Sequence, residues 1–354
     1  MSVSYGGDSI TFADGSTVSS GWQGFKNRII NGGMVVDQRN AGGTSSSQDY
    51  LVDRWRTWFG TGTYTFQQVS DAPTGFSNSL KVTKTNTTQS NYAILLQHIE
   101  GYNVADLVGA TLVQLQYRII WVKSSVTGTF SAALNNSDAS RSYMFSYTIN
   151  AQNTWEYKTV TIPGDTTGTW YKNNNSGIQI RFNFGNATGN GSTGSWLSGD
   201  YLVASSATTN LGTTNGATWQ ITGVQIEKGS TASSFEWRPF TTELQLCQRY
   251  FCSSWSTGVA AGSGTERKYF GLYAGAPATS PLLTYVNWPV EMRTSPTVTL
   301  YDTANPPVAN KTYRGGDGKS AYVSQSGTRQ AYCGSTDTTS SSECVFLFKA
   351  EAEL

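Results

Sequence analysis

"IQIRFNF", residues 178–184, sets Ile178, Ile180, Phe182 and Phe184 at every second position. A period of two is the side-chain repeat of a strand, because successive Cβ atoms leave opposite sides of the pleat. The run predicts a strand with one apolar face. The same alternation occurs before it: Val113, Leu115, Tyr117, Ile119 and Trp121, then Tyr143, Phe145, Tyr147 and Ile149. Further on, "TWQITGVQI" (218–226) alternates through Trp219 and Ile221 and slips phase at Gly223 to resume at Val224 and Ile226, as a bulge does. Polar loops such as "KNNNSG" (172–177) and "FGNATGNGSTGS" (184–195) separate the runs. Many short strands joined by Gly/Asn/Ser turns predict an all-β, antiparallel sandwich of jelly-roll type.

Composition agrees. The chain has 354 residues, enough for about two domains. Its 38% apolar content excludes a disordered chain, while charged residues are only 13%, roughly half the usual share. Ser, Thr, Asn, Gln and Gly therefore supply the polar surface, and 19 Tyr, 15 Phe and 11 Trp favour strands. A net charge of +1 with no basic run argues against nucleic acid as partner. No apolar run approaches the ~20 residues of a spanning helix. The start, "MSVSYGGDSI", lacks a basic and apolar leader pattern, so no signal peptide is expected.

The expected division is an N-terminal arm (1–26), a jelly-roll domain (27–240), a connecting helix (241–252) and a smaller C-terminal β-sandwich (253–354). In the arm, Ile10, Phe12, an Asp14-Gly15 turn and Val18 suggest a hairpin, either frayed or docked on another chain. "NVADLVGA" (103–110) suggests one helical turn capped by Asn103. In "TTELQLCQRYF" (241–251), Thr241 or Thr242 is the expected N-cap, with Glu243 in the first turn. Leu244, Cys247, Tyr250 and Phe251 share an apolar face, packed either on the chain itself or on symmetry mates. Beyond it, "LLTYVNWPVEM" (282–292) alternates through Val286, Trp288, Val290 and Met292, and "SPTVTLYD" contributes Val298 and Leu300. The final run carries Phe346, Phe348, Ala350, Ala352 and Leu354 on one face and Val345 and Leu347 on the other, a two-sided pattern suggesting subunit packing.

Chemistry-bearing residues are sparse. His98 is the one histidine, and no nucleophile elbow, zinc-protease motif or phosphate loop occurs. Glycoside hydrolysis needs two carboxylates facing across a sugar, and no such pair stands out. Cys247, Cys252, Cys333 and Cys344 lack zinc spacing; the last two flank the turn-rich "GSTDTTSSSE", which allows them to face across a hairpin and leaves a bridge open. No metal or cofactor is expected. Sugar binding asks less: an aromatic face and neighbouring polar groups. Candidates are Trp58, Tyr64, Tyr143, Tyr147, Trp170, Tyr171, Trp196, Tyr313 and Tyr322. Asp37, Arg39, Asp53 and Arg54, Glu227 with Lys228, and Glu236 with Arg238 suggest structural charge pairs.

Four ordered stretches carry a resemblance: "NRIINGGMVVDQRNAGG" with "YLVDRWRTW", "LLQHIEGYNVADLVGATL", "GVQIEKGSTASSFEWRPFTTELQLCQRYF", and "PVEMRTSPTVTLYD" with "KAEAEL". In that order, over residues 27–354, the chain resembles the fibre and tail proteins of tailed bacteriophages, which carry a module similar to carbohydrate-binding jelly rolls. The resemblance implies a non-enzymatic virion protein, assembled in the host cytoplasm. It would attach to other virion proteins through its arm and bind a host-surface polysaccharide, without membrane insertion. A homotrimer follows from it, with Leu244, Cys247 and Phe251 expected near the three-fold axis. Alternatives are a head fibre or capsid decoration protein and, less favoured, a capsule-degrading glycosidase.

Overall fold

The computed structural model describes residues 4–6, 9–11, 17–19, 25–88, 92–108, 114–185, 190–204, 209–212, 214–229, 233–264, 270–272, 281–338 and 343–354. The regular secondary structure is nearly all strand, with one α-helix among the described residues. Residues 56–228 form two antiparallel six-stranded sheets. The first runs in the order Trp196–Ser198, Arg141–Ile149, Gly128–Asn136, Ser176–Asn183, Ala93–Glu100 and Arg56–Phe59. The second runs Glu156–Pro163, Gln114–Ser124, Thr218–Thr222, Ser79–Lys84 and Tyr64–Val69, with Gln225–Lys228 continuing on Gln114–Ser124. Apart from two hairpins, Tyr64–Val69 with Ser79–Lys84 and Gly128–Asn136 with Arg141–Ile149, most connections cross between the sheets, as in a jelly roll.

The alternating runs supply the core between the sheets. Ile178, Ile180, Phe182 and Phe184 are all buried there with Tyr143, Phe145, Tyr147 and Ile149 from the first sheet and Trp219 and Ile221 from the second. Phe182 and Phe184 meet Trp219 at ring-centroid distances of 6.3 and 5.9 Å. Each such aromatic pair adds about 0.5–1.5 kcal/mol beyond its buried area. The phase slip falls where the sequence puts it: Gly223 has φ +64° between two strands, and a Cβ there would stand 2.7 Å from Phe76 Cζ. The 114–124 strand slips too, since Lys158 pairs with Ile120 and Thr159 with Arg118, leaving Ile119 as an extra residue. Ile120 and Val122 consequently face the core, and Trp121 is half-buried.

Several local expectations change. Ile29 and Ile30, which before Gly32-Gly33 read as a strand ending in a tight turn, lie instead in a non-strand segment whose order comes from side chains. Asn31 donates to the Val36 and Asp53 carbonyls and accepts from the Val35 and Val36 amides. Gly32 is required there, because a Cβ would lie 2.1 Å from the Val224 carbonyl oxygen. A 3-10 turn spans Gly101–Asn103, and a turn follows Asn103 in which the Leu107 amide donates to the Val104 carbonyl. The α-helix spans Phe240–Gln248 with Pro239, not a threonine, at its N-cap. The Glu243 carboxylate reaches beyond the helix to the Asn31 amide. In the arm, Ser9–Thr11 pairs with Thr17–Ser19 and Ser4–Gly6, with Ile10 opposite Val18; Phe12, Asp14 and Gly15 lie outside the described residues.

The C-terminal sheet is built around Cys344–Glu351. One half of that strand pairs with Phe270–Leu272 and Lys311–Arg314, the other with Phe251–Ser253 and Thr297–Tyr301. Lys319–Ser326, Gln330–Ser335 and Leu282–Asn287 extend the sheet. Leu347, on the second apolar face, is fully buried by this chain alone, so that face gives no argument for subunit packing. Cys333 lies opposite Thr284 and Val323, and Cys344 opposite Arg314 and Leu272, so they do not form a hairpin pair. All four cysteines are free thiols.

The two β units meet at a buried junction of charges. Arg54, 1% exposed, pairs with Glu353 and donates to the His98 carbonyl at 2.6 Å. Its guanidinium lies 3.5 Å from the Tyr250 ring centroid, and that of Arg39 lies 3.8 Å from the Phe251 ring. Arg39 binds Glu351 and, at 3.2 Å, Glu353. Glu100, also 1% exposed, takes Arg249 at 2.6 Å and the Tyr250 hydroxyl at 2.7 Å. Arg293 donates to the carbonyls of Ala352, Glu353 and Asn174. Burial is the largest influence on Asp53 and pushes its carboxyl up to about 7, against the pull of Arg39 at 3.9 Å. Arg238 pairs with Glu236 and Glu243, and Glu227 accepts from Ser233.

Candidate functional site

Residues of the first sheet that point away from the core build a groove. In the register, Arg56 faces Leu96 and Leu96 faces Arg181, forming one row across three strands. His98 and Gln179 form the next row, and Trp58 with Ile94 the row before. Arg56, Trp58, Leu96, His98, Gln179 and Arg181 line a cavity of about 350 Å³. The alternation that sends Thr57 and Phe59 inward leaves Trp58 44% exposed on the edge strand, its ring edge-on to Tyr92 at 5.1 Å.

The polar groups are fixed to different degrees. Arg181 is held by Asp200 at 2.6 Å and by two bonds to the Gln179 side-chain oxygen, at 3.1 and 2.7 Å. Gln179 in turn donates to the Ser137 carbonyl at 3.2 Å. His98 Nδ1 lies 3.0 Å from the Ser176 hydroxyl. Enclosure first, and then the guanidiniums of Arg54, Arg181, Arg56 and Arg293, push the imidazole down to about 3, so it is neutral at ordinary pH. Arg56 has no ion pair or side-chain hydrogen bond among the described residues; its guanidinium stands 6.0 Å from the Tyr50 ring centroid. The groove presents an aromatic surface, guanidinium donors and a neutral imidazole.

Of the residues singled out in the sequence, Trp58 lies in this groove. Tyr64, Tyr143 and Tyr147 do not: they are 1%, 5% and 6% exposed, and face the sandwich core. Tyr64 sits edge-on to Phe59 and Phe184, and Tyr147 stacks on Phe130 at 5.9 Å. Their period of two is that of core residues, so they offer no face to a ligand. Trp170 and Trp196 pack on each other at 5.3 Å and Trp196 on Tyr143, with each indole N–H bonded to a carbonyl. Tyr171 is exposed in the loop directly after Trp170. Tyr313 and Tyr322 lie on the C-terminal sheet, Tyr313 half-buried and Tyr322 45% exposed. Cys247 and Phe251 are 0% and 1% exposed and Leu244 is half-buried, all within the chain's own packing, which removes Cys247 and Phe251 from any surface a second copy can touch.

Sequence reasoning missed Arg56, Gln179 and Arg181. Gln179 and Arg181 occupy the alternate positions of "IQIRFNF", and Arg56 that of "RTWF", so the period that identified the core also marked its outward face. What it could not supply was the strand order that brings 56, 96 and 181 side by side. It missed a second aromatic pair too: Tyr285, 60% exposed, lies 4.7 Å from Tyr332 on the neighbouring C-terminal strand. Among the described residues no cluster of His, Cys, Asp and Glu has metal-binding geometry, and no helix is long and apolar enough to cross a membrane.

No protein-family model matches the chain, and no curated protein matches it. Solved structures similar to it include the enzymatically active domain of tailspike protein 4 of Bacteriophage CBA120, at 16% identity and a TM-score of 0.35. That match covers 58% of this chain and 22% of the tailspike chain. A carbohydrate-binding module of family 4 is similar at 14% identity over 56% of this chain and 98% of its own, with a TM-score of 0.30. The family 11 module of Clostridium thermocellum, solved with a β-1,3-1,4-mixed-linked tetrasaccharide, is similar at 15% identity over 55% and 98%, with a TM-score of 0.28.

Proposed function

We propose that this protein is a non-catalytic glycan-binding protein of a phage virion, a tail fibre that holds a host-surface polysaccharide in the groove at Trp58. The observation that carries the binding reading is an exposed indole beside Arg56, Gln179 and Arg181 in a cavity of about 350 Å³. An indole stacks on the apolar face of a pyranose, and flanking polar groups orient its substituents. The virion setting rests on the resemblance of the ordered stretches over residues 27–354. The non-catalytic reading is supported by the lining itself: its imidazole is neutral, and the neighbouring carboxylate of Asp200 is engaged with Arg181.

Assembly as a homotrimer belongs to the same proposal. It raises avidity when each site binds weakly. Its contact surface is not the helix interior, which the chain fills by itself. Light scattering at micromolar concentration tests it, and a stable monomer overturns it.

The binding reading is tested on a glycan array with wild-type protein and Trp58→Ala. Loss of a stacked aromatic costs about 1–3 kcal/mol by analogy with other ring-stacking sites, so the variant should bind about 5- to 150-fold more weakly while melting like the wild type. Undiminished binding by Trp58→Ala removes the groove as the site. Shortened oligosaccharides after incubation with a bound capsule overturn the non-catalytic reading.

A further inference from the structure

We infer that the saccharide held in this groove is acidic, with a carboxylate on the sugar stacked at Trp58 received by Arg56. The inference rests on the glycan-binding reading and specifies the class of ligand.

The argument begins with donors and acceptors. A neutral sugar hydroxyl both donates and accepts, so a site built for neutral glycans offers groups of both kinds. Here the Gln179 side-chain oxygen and Oδ1 of Asp200 are already engaged. The Gln179 side-chain oxygen takes two bonds from Arg181, and the Asp200 carboxylate takes bonds from Arg181 and Asn135. The Gln179 amide nitrogen is committed to the Ser137 carbonyl. Beside the neutral His98 imidazole, the groove offers the Arg56 guanidinium, which has donors only.

The charge balance points the same way. Four arginines, Arg54, Arg56, Arg181 and Arg293, act on His98. Arg54 is neutralised by Glu353 and Arg181 by Asp200. Arg293 is satisfied by three carbonyls and sits beyond the groove lining. Arg56 lines the groove with no carboxylate against it among the described residues, and its Nε is enclosed without a hydrogen-bond partner. An enclosed guanidinium donor without a partner is a cost that a ligand acceptor removes. A planar guanidinium matches a planar carboxylate through two parallel bonds, which favours a carboxylate over a sulfate ester.

The spacing suits a single sugar unit. Arg56 and Trp58 are two residues apart on one strand and project from the same face, about 7 Å from each other. A ring lying on the indole thus has an edge substituent within reach of the guanidinium. Leu96 closes the floor between Arg56 and Arg181.

The test uses the full chain and an array of acidic polysaccharides, each printed beside its carboxyl-reduced form, with neutral and sulfated glycans alongside. Wild type should prefer carboxylate forms at least tenfold over their reduced counterparts, and the preference should shrink as salt rises. Arg56→Gln should abolish the preference without changing the melting temperature. Arg56→Lys, which keeps the charge but loses the fork, should fall between. Equal binding of native and reduced forms overturns the acidic assignment and leaves glycan binding standing. Binding confined to sulfated glycans overturns the carboxylate. Binding to no glycan on the array overturns both readings.

Discussion

His98 has neighbours that make it a poor proton carrier, and it reads from the sequence as a buried or strand-edge histidine with a hydrogen-bond partner rather than a base. Because its folded pKa, about 3, lies below its unfolded value of about 6.5, the unfolded chain takes up the proton first. Its contribution is therefore fully present above pH 6.5 and is lost as the pH falls from there toward the folded value. At pH 5.5 the loss amounts to at most about 1.4 kcal/mol. Asp53 acts with the opposite sign, since its carboxyl is raised to about 7 and holds its proton in the folded state. The difference between wild type and His98→Gln isolates the histidine, because it is the only one in the chain. Urea unfolding at pH 7.5 and 5.5 should show the wild type losing more stability than the variant; identical losses would mean that the imidazole is solvated in the folded state.

Elements were legible in the sequence wherever one period ran undisturbed between turn residues. The alternation in 178–184 and 143–149 located the core face because a one-residue slip would send every apolar side chain into water. Where a strand carries an extra residue, as at Ile119, the period read from sequence gives the wrong face for Trp121. The helix was legible in existence but not in its start, because Pro239 pre-sets the chain and Glu243 is spent on Asn31. The groove was half legible: Trp58 stood out as an aromatic near loops, but its partners come from strands about 40 and 125 positions away, a juxtaposition set by sheet order. The slip at Gly223 is the element-level feature most open to test. Gly223→Ala forces an L side chain to φ +64° and sets its methyl 2.7 Å from Phe76 and 3.0 Å from Trp121. A cost of about 1–3 kcal/mol is expected from the backbone alone, read as a lower urea midpoint at unchanged m-value. A midpoint equal to wild type would show that the strand passes the bend in another conformation.

The stretches that carry the phage-fibre resemblance lie far apart in sequence and converge on the charged junction. "DQR" and "DRW" bring Arg39, Asp53 and Arg54, "HIE" brings Glu100, "QRYF" brings Arg249, Tyr250 and Phe251, "EMR" brings Arg293, and "EAEL" brings Glu351 and Glu353. The motifs are thus the means by which the sandwich grips the C-terminal sheet, and two of the same stretches also carry Arg56, Trp58, Leu96 and His98 of the groove. Arg54 even accepts a left-handed backbone, φ +73°, at a cost of about 1–3 kcal/mol, to reach this position. A buried ion pair contributes little net stability against an apolar replacement, but removing one partner strands the other charge and costs about 3–5 kcal/mol. Arg54→Met should therefore destabilise the chain by about that amount and separate one calorimetric transition into two, as sandwich and C-terminal sheet lose their coupling. Arg54→Met with Glu353→Leu should recover most of the loss, since neither charge is left unpaired. High salt should change little, the pair being screened from solvent. If the single variant melts as wild type in one transition, the two units are held by apolar packing at Tyr250 and Phe251 and the charges merely accompany it.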